Sequence, residues 1–460
     1  MIWSSPIYRF RIPTDESDSD CDDLREIVID VTGSAPPFTK PSDALKEVLT
    51  DVFSDANLKK IDNVLEFGAA KLKNIPFILK KGKTVCAVEF KELTENDFTK
   101  KNIKTCKKYG NKFQELLFPN PFIEDTKKFD LALLINVPPV MPVYAERLLL
   151  FDLLYKKVES GKYVLWVAQK EGSYKKIREE GKNKCGDGIW MGKGRYFKTF
   201  FKYHQVEDLD ELMQLYGFKL IKRYSVPDDA RLYEKTEYNL FSGLITPQKI
   251  EVIIPIELEI KNPEAPNPKI VRKTSRVKTI TPNPKELSIE NLYIEKIKSI
   301  PAGTDHAEGY HRIVSLAIAR IFRGSLRNMT LKVDVDDGVK IIDTVFTNCA
   351  DKGFFHNLKN KTECSYPIFE MKNISGDPAN TEFDQLNGRL NDDRGHFGIL
   401  VCRKADREAN IYARCKTYRP NNSVLFLSDK DIFELLKLSS ENSQAEINDY
   451  MDTKLKTLLF

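Results

Sequence analysis

YPIFEMKNIS, residues 366–375, is the stretch on which the reading of the C-terminal part of the chain turns. Its apolar positions predict a strand, and side chains along a strand alternate between two faces. Ile368, Glu370 and Lys372 then share one face, while Phe369 and Met371 occupy the other. An acid and a lysine two positions apart, flanked by apolar residues, place charge where a purely structural strand avoids it. Burying an unpaired charge is costly, so the pair calls for a partner or a metal. Upstream, LKVDV (331–335), the turn signal DDG (336–338) and VKIIDTVFTN (339–348) predict a hairpin with Asp343 inside its second strand. Before the hairpin, AEGYHRIVSLAIARIFRG (307–324) predicts an amphipathic helix ended by Gly324. Downstream, TEFDQLNGRL (381–390) predicts a helix that carries Gln385 and Arg389 on one face. GHFGILVCRK (395–404) follows as a continuous buried strand.

These residues suit phosphodiester hydrolysis. Mg²⁺ prefers one or two carboxylates plus waters, and Asp343 and Glu370 can supply them. Such a metal polarises the phosphoryl oxygen and lowers the pKa of a bound water. Lys372 can hold that water and neutralise charge in the transition state.

The order of helix, hairpin with Asp, strand with E-x-K, helix with Q-x-x-x-R and buried strand resembles the PD-(D/E)xK nuclease superfamily, in its restriction-endonuclease-like branch. The resemblance covers roughly 300–430. It implies an α/β/α domain, DNA as substrate, and Mg²⁺ or Mn²⁺ as cofactor. It puts Asp343, Glu370 and Lys372 on the catalytic positions and Gln385 on a supporting one. Glu308 falls on the first-helix acid, so the implied metal set is Asp343, Glu370 and Glu308. Homodimerisation is a further implication. Ile342 stands where the family has its proline. An ion pair in an ordinary α/β domain is the plain alternative for Glu370 and Lys372. His306, His311, His356 and His396 match no familiar metal spacing and are expected at the surface or in helix packing.

The N-terminal part has a different texture. KIDNVLEFG (60–68), KTVCAVEF (83–90), FDLALLINV (129–137) and YVLWVAQK (163–170) are short apolar runs separated by helix-periodic segments such as 43–53 and 145–157. That alternation predicts a parallel α/β sheet, which FKLIKRYSV (218–226) and RLYEKTEYNLF (231–241) would close. Gly68 turns the chain after the first strand, and Glu89 ends the next, 21 residues on. A glycine turn followed by an acid at that distance is the nucleotide-binding arrangement, in which the acid takes ribose hydroxyls. Ala70 and Leu72 stand where further glycines would. A ligand without phosphate, such as S-adenosylmethionine, fits this turn better than a dinucleotide.

Over about 40–245 the chain resembles class I S-adenosylmethionine-dependent methyltransferases. The resemblance implies a Rossmann-like sheet with Glu66, Gly68, Glu89 and Asn136 at the cofactor. NVPPV (136–140) is similar to the N-P-P-Y of amino-methylating DNA enzymes, but Val137 intervenes and Val140 replaces the base-stacking aromatic. Asn136-Val137, Glu146-Arg147 and the stretch 186–205 are also similar to methyltransferase-like proteins encoded with DNA-phosphorothioation and other phage-defence systems. In 186–205, Trp190, Tyr196, Phe197, Phe200, Phe201 and Tyr203 interleave with basic residues. They are either a base-stacking surface or a core-facing aromatic segment.

Length and composition frame both parts. A chain of 460 residues, 41% hydrophobic, fits two to three domains and excludes global disorder. The net charge of +5 means that any nucleic-acid surface must come from local clustering. Eight cysteines without a C-x-x-C pair give no zinc or disulfide framework. The N-terminus turns polar before a signal-type apolar region forms, and no apolar stretch is long enough to span a membrane. The expectation is a soluble, cytoplasmic protein without a membrane partner. Residues 1–35, with the acidic run TDESDSDCDD (14–23), read as a mobile tail, and 36–248 as the methyltransferase-like domain. Residues 249–290 combine the strand candidate IEVIIPIELEI (250–260) with a linker holding five prolines and seven Lys/Arg over 261–285. Residues 291–460 read as the nuclease domain. The functional expectation is a DNA endonuclease of phage defence or restriction, acting on phage or modified DNA alone or with other defence subunits. The alternatives are a bifunctional restriction–modification enzyme and a non-catalytic DNA-binding subunit.

Overall fold

The computed structural model describes residues 6–13, 24–34, 41–95, 97–168, 172, 174–185, 187–192, 198–225, 229–237, 239–241, 259–261, 269–271, 288–335, 340–441 and 443–459. The chain divides into two compact units, Met1–Pro284 and Lys285–Phe460.

In the first unit the strands are β1 (Ile7–Pro13), β2 (Leu24–Asp30), β3 (Asn63–Phe67), β4 (Thr84–Phe90), β5 (Phe113–Phe118), β6 (Phe129–Ile135), β7 (Val158–Ala168), β8 (Lys184–Cys185), β9 (Gly188–Met191), β10 (Thr199–Phe201), β11 (Phe218–Ser225), β12 (Asp229–Lys235), β13 (Glu259–Lys261) and β14 (Lys269–Val271). Seven of them form one sheet in the order β5-β4-β3-β6-β7-β12-β11. The first five run parallel to one another, β12 is antiparallel to β7, and the edge strand β11, antiparallel to β12, runs in the direction of the first five. Val64, Leu65, Val85, Val88, Leu131–Leu134 and Val164–Trp166 are buried, which is the unbroken apolar pattern of strands covered on both faces. The order reverses between β3 and β6. In open α/β sheets the crevice beyond the carboxyl ends of the strands at such a point is where ligands bind. Sequence periodicity locates β3, β4, β6 and β7. It misses β5, FQELLF, because this edge strand has buried ends and half-buried middle residues rather than an apolar run.

Residues 1–35 are not a featureless tail. β1 and β2 pair antiparallel over Ile7↔Asp30 to Pro13↔Leu24. Their alternate residues Tyr8, Phe10, Ile27 and Ile29 form a buried cluster with Cys185 and Phe200. The acidic composition of 14–23 obscures this period-two pattern on either side of it, and 14–23 itself lies outside the described residues. Phe200 and Phe201 are buried, so these two belong to the core and not to a stacking surface; Tyr196 and Phe197 lie outside the described residues. The strand candidate 250–260 and the proline-rich segment are described only at β13 and β14, which pair antiparallel.

The second unit holds β15 (Leu326–Val335), β16 (Lys340–Asn348), β17 (Ile368–Lys372), β18 (Phe397–Cys402) and β19 (Ser423–Ser428), in that order across one sheet. β15–β16–β17 are antiparallel, and β17–β18–β19 are parallel. Helix Asn380–Asn387, helix Glu408–Lys416 and helix Gln444–Leu459 bring Phe383, Leu386, Ile411, Cys415 and Leu458 onto Ile368, Leu400, Cys402, Val424 and Phe426. Helix Ala307–Ile321 packs on the sheet through a 2.6 Å hydrogen bond between the Ser315 and Thr344 hydroxyls. Thr344 is the cross-strand neighbour of Phe369, on the face opposite Ile368. The unit is therefore an α/β/α sandwich, with β17 central. Among the described residues no helix is long and apolar enough to cross a membrane.

Candidate functional sites

In the second unit, Thr344↔Phe369 and Val345↔Ile368 set the β16–β17 register. Asp343 on β16 and Glu370 on β17 each lie one residue beyond that pairing. Both are buried: Glu370 is 1% exposed and Asp343 8%. A buried carboxylate needs hydrogen-bonding or charged partners, and each of these has them. Lys372 Nζ lies 3.0 Å from Glu370 Oε1, and Arg389 Nη1 donates to Oε2. Lys372 Nζ also donates to Gln385 Oε1 at 3.1 Å. Asp343 Oδ2 accepts the Met371 backbone N–H at 3.0 Å. Asp343 Oδ1 faces His311 Nδ1 and Lys332 Nζ, each at 3.4 Å. Burial alone would raise the Asp343 pKa. The His311 ring, the Met371 amide and Lys332 outweigh it and hold the carboxyl well below its usual range.

Glu370, Lys372 and Gln385 are thus joined by side-chain contacts, and Asp343 is tied to the same strand through the Met371 amide. Glu308 does not join them. It is exposed in the first turn of helix Ala307–Ile321, and among the described residues no hydrogen bond or ion pair ties it to Asp343 or Glu370. One helical turn on, His311 takes that place instead, against the sequence expectation of a surface or packing role. Positions 308 and 311 share one helical face, so the position of the helix along its axis over the sheet, which the sequence does not fix, decides between them. Lys332 and Arg389 were missed as site residues. Lys332 has a sequence-level signal in the hairpin, since Leu331↔Thr344 and Val333↔Ile342 place it opposite Asp343.

A second set of contacts fixes the end of β17. Asn373 Nδ2 donates to the carbonyls of Pro301 (3.0 Å) and Gly303 (2.8 Å), and its Oδ1 accepts from Arg403 Nε at 2.7 Å. The Arg403 guanidinium stacks on the Tyr310 ring at 4.5 Å, and Tyr310 donates to Asp429 Oδ1 at 2.7 Å. Burial pushes the Asp429 carboxyl up to about 6 despite these partners. The network joins the strand carrying Glu370 and Lys372 to the helix carrying His311.

Among the described residues no group of three or more His, Cys, Asp or Glu side chains is placed to hold a metal ion. The expected triple set of Asp343, Glu370 and Glu308 is therefore not assembled.

In the first unit, Glu66, Gly68, Glu89 and Asn136 all fall at the carboxyl ends of β3, β4 and β6, at the reversal of strand order. Gly68 adopts φ +68°, and a Cβ there would lie 2.5 Å from Val137 Cγ2. Ala70 and Leu72 also hold left-handed conformations, φ 47° and 56°, where glycine would be unstrained. The turn is thus glycine-shaped but carries side chains, and Leu72 is buried. Glu89 turns inward: Oε2 accepts the Ala70 N–H at 2.5 Å and Oε1 its neighbour Phe90 at 2.8 Å. Glu66 Oε1 accepts from Asn74 Nδ2 at 2.5 Å. Glu66 Oε2, Asn74 Oδ1 and Asn136 Oδ1 are buried without a hydrogen-bond partner. Burial raises the Glu66 and Glu89 carboxyls to about 7. Glu146 and Arg147 serve the fold, accepting from Tyr8 at 2.7 Å and pairing with Asp187 respectively.

These features define the class of the first unit as a Rossmann-like α/β fold. The second unit is an α/β/α sandwich with a buried carboxylate–lysine centre. No family model matches the chain, and no curated protein matches it in sequence. Among solved structures it is similar to an S-adenosylmethionine-dependent methyltransferase from Methanosarcina mazei, at 14% identity, covering 41% of this chain and 97% of that one with a TM-score of 0.33. It is also similar to the CcbJ methyltransferase from Streptomyces caelestis (14% identity, 43% and 91% covered, TM-score 0.32). A third is an S-adenosylmethionine-dependent methyltransferase from Clostridium acetobutylicum (12% identity, 42% and 90% covered, TM-score 0.31).

Proposed function

We propose that the protein is a metal-dependent DNA endonuclease of restriction or phage defence, with Asp343, Glu370 and Lys372 as catalytic residues and Gln385 in support. The observation that supports this reading is Lys372 3.0 Å from Glu370 on the strand whose Met371 amide donates to Asp343. Asp343 and Glu370 would hold a Mg²⁺ or Mn²⁺ ion, which would polarise the scissile phosphate and acidify a bound water. Asp343 stays ionised, because its partners hold its pKa low. Lys372 carries the positive charge that meets the developing negative charge on the phosphate, and Gln385 fixes the direction of its ammonium. Water adds to phosphorus, and the bond from phosphorus to the leaving sugar oxygen breaks.

The test is Mg²⁺-dependent cleavage of plasmid and phage DNA by wild type and Lys372→Ala. The reading requires cutting by wild type and loss in the variant. Equal activity of the two, or inactivity of both on every substrate, ends it. Tight DNA binding by wild type without cutting would favour the non-catalytic DNA-binding subunit.

For the first unit we propose an S-adenosylmethionine-binding module that senses or positions DNA. Support comes from three unpartnered buried oxygens, on Glu66, Asn74 and Asn136, near the strand-order reversal. Asn74 Oδ1 and Asn136 Oδ1 are acceptors, and Glu66 Oε2 is one when its carboxyl is ionised, so they suit a ligand that brings N–H or ammonium donors. The same observation favours the bifunctional restriction–modification enzyme as second reading. Transfer of labelled methyl groups to unmodified DNA by a Lys372→Ala protein separates the two. Assembly as a homodimer or with other defence subunits belongs to the same proposal and is read by solution mass.

A further inference from the structure

In the first unit one carboxylate oxygen, Asp187 Oδ2, faces two cations. Arg147 Nη2 donates to it, while Lys202 Nζ stands off at 3.9 Å, beyond hydrogen-bond reach. Arg147 is also held by the Met141 carbonyl and by the Tyr144 and Phe200 rings, whose centroids lie 5.1 and 5.9 Å away. Its charge is matched within the chain, and that of Lys202 is not. Among the described residues the Lys202 ammonium makes no hydrogen bond, and the further charges acting on it, Asp208 and Arg178, are one of each sign. Burial pulls this ammonium below the usual lysine range, although Asp187 opposes the shift. Burial, then Arg147 and Lys202, lower the His204 ring to about 3, so it is neutral at physiological pH and adds no charge of its own.

The chain fixes Lys202 at the edge of the sheet where ligands bind. Lys202 follows β10, and its backbone N–H donates to the Pro139 carbonyl at 2.8 Å. Pro139 lies in the loop leaving the carboxyl end of β6, at the reversal of strand order. The Lys202 side chain is 31% exposed, so a ligand can reach a charge that water screens only in part. On the same small sheet, half-buried Trp190 of β9 pairs with Phe200 of β10, and the Lys198 ammonium lies 5.2 Å from the Trp190 ring. Cations beside an aromatic ring suit a nucleotide, whose base stacks and whose phosphate pairs.

Building on the reading of the first unit as a module that positions DNA, we propose that Lys202 binds a phosphate group presented beside the loop 136–141, with Asp187 as the carboxylate that opposes it. The ammonium meets the phosphate as a point charge. Asp187 keeps Arg147 in place and, through the same oxygen, weakens the pull of Lys202 on an anion. The two residues therefore act with opposite sign. Removing the ammonium abolishes phosphate binding, and removing the Asp187 charge strengthens it. Structural damage would weaken binding in both cases.

All three tryptophans, Trp3, Trp166 and Trp190, fall within Met1–Pro284, so tryptophan emission follows the first unit alone in the full chain. The experiment records thermal melts by tryptophan fluorescence for full-length wild type, K202M, K202R and D187N. Each is melted in a series of inorganic phosphate concentrations and in sodium chloride of equal ionic strength. A ligand that binds the folded state raises the midpoint. Phosphate should raise it in wild type and K202R but not in K202M. An equal rise in wild type and K202M is the general effect of a kosmotropic salt and overturns the site. In D187N the phosphate affinity drawn from the melts should tighten about tenfold, the scale of an ordinary coupling between two ligands. Unchanged or weaker affinity in folded D187N also sinks the proposal, and if D187N does not fold, K202M against K202R decides it. Melts with a nucleoside monophosphate and with a short single-stranded DNA identify the source of the phosphate. Stronger protection by the DNA, lost in K202M, assigns a backbone phosphate; equal protection, lost in K202M, assigns a single nucleotide, and each supports the site. S-adenosylmethionine in the same melts keeps the two readings apart. A midpoint raised by S-adenosylmethionine and not by phosphate ends this inference alone, and the reverse ends the cofactor reading alone.

Discussion

Asp343 accepts the backbone N–H of Met371 across the β16–β17 seam at 3.0 Å, so its carboxylate is aimed by the strand that carries Glu370 and Lys372. A one-residue slip between these strands would send Asp343 to the opposite face and break the centre. Sheet register therefore positions Asp343 against the strand that carries Glu370.

Asp343→Asn keeps this hydrogen bond but removes the charge. We expect DNA cleavage to fall by at least about 10²-fold, the scale of losing one electrostatic contact to a transition state. Circular dichroism should stay that of wild type. Full activity in the folded variant would remove Asp343 from the centre.

Lys372→Ala leaves Glu370 with Arg389 as its cation, so the buried carboxylate stays partnered. Stability should change little, while the cleavage rate constant falls about 10²- to 10³-fold with DNA affinity nearly intact. A loss confined to affinity would make Lys372 a binding residue only.

Glu66 holds its proton more tightly folded than unfolded, with a pKa of about 7 in place of 4.5. Its contribution to stability is fully present below the unfolded value and is lost as pH rises through about 7. Glu89 acts in the same direction. Glu66→Gln mimics the protonated state at every pH. We expect a higher melting temperature at pH 8, at roughly 2–4 °C per kcal/mol for a unit of this size, and no change near pH 4. Thermal melts at the two pH values decide it; an equal shift at both would assign the effect to packing.

Arg403→Met removes the guanidinium that serves Asn373, the Ile297 carbonyl and the Tyr310 ring. Asp429 loses its cation, 3.5 Å away. Breaking one side of such a buried network costs about 3–5 kcal/mol. Urea denaturation should show that loss in the second unit, and a loss under about 1 kcal/mol, the worth of a surface pair, would place Arg403 outside the framework.

Gly68→Ala combines a left-handed backbone with a Cβ 2.5 Å from Val137 Cγ2. Val137 or the turn has to move, so S-adenosylmethionine binding measured by calorimetry should be lost or reduced by at least about tenfold, a cost of roughly 1.4 kcal/mol. Binding unchanged from wild type would separate this turn from the cofactor site.

Much of this was local, and local features are legible in a sequence. Periodicity finds β3, β4, β6, β7, β17 and β18, because alternating or unbroken apolar runs report how many faces a strand buries. The same period puts Glu370 and Lys372 on one face, whereas the helix predicted over 381–390 ends at Asn387, so Arg389 lies beyond it and helical spacing does not place it. β1 and β2 were hidden by the acidic run between them, and β5 by its half-buried middle.

The sequence by itself determined that Asp343, Glu370 and Lys372 sit on strands, that Gly68, Glu89 and Asn136 end them, and that the central strands of the first unit are parallel. Tertiary structure alone decided the company those residues keep. The seating of the helix along the sheet put His311 and not Glu308 beside Asp343, the turn after helix Asn380–Asn387 carried Arg389 to Glu370, and Glu89 folded back onto the Ala70 amide. The physical reason is range. Alternation along a strand follows from the covalent geometry of neighbouring residues. Register between strands, and the seating of a helix over a sheet, follow from packing among residues far apart in the chain, which no local pattern records.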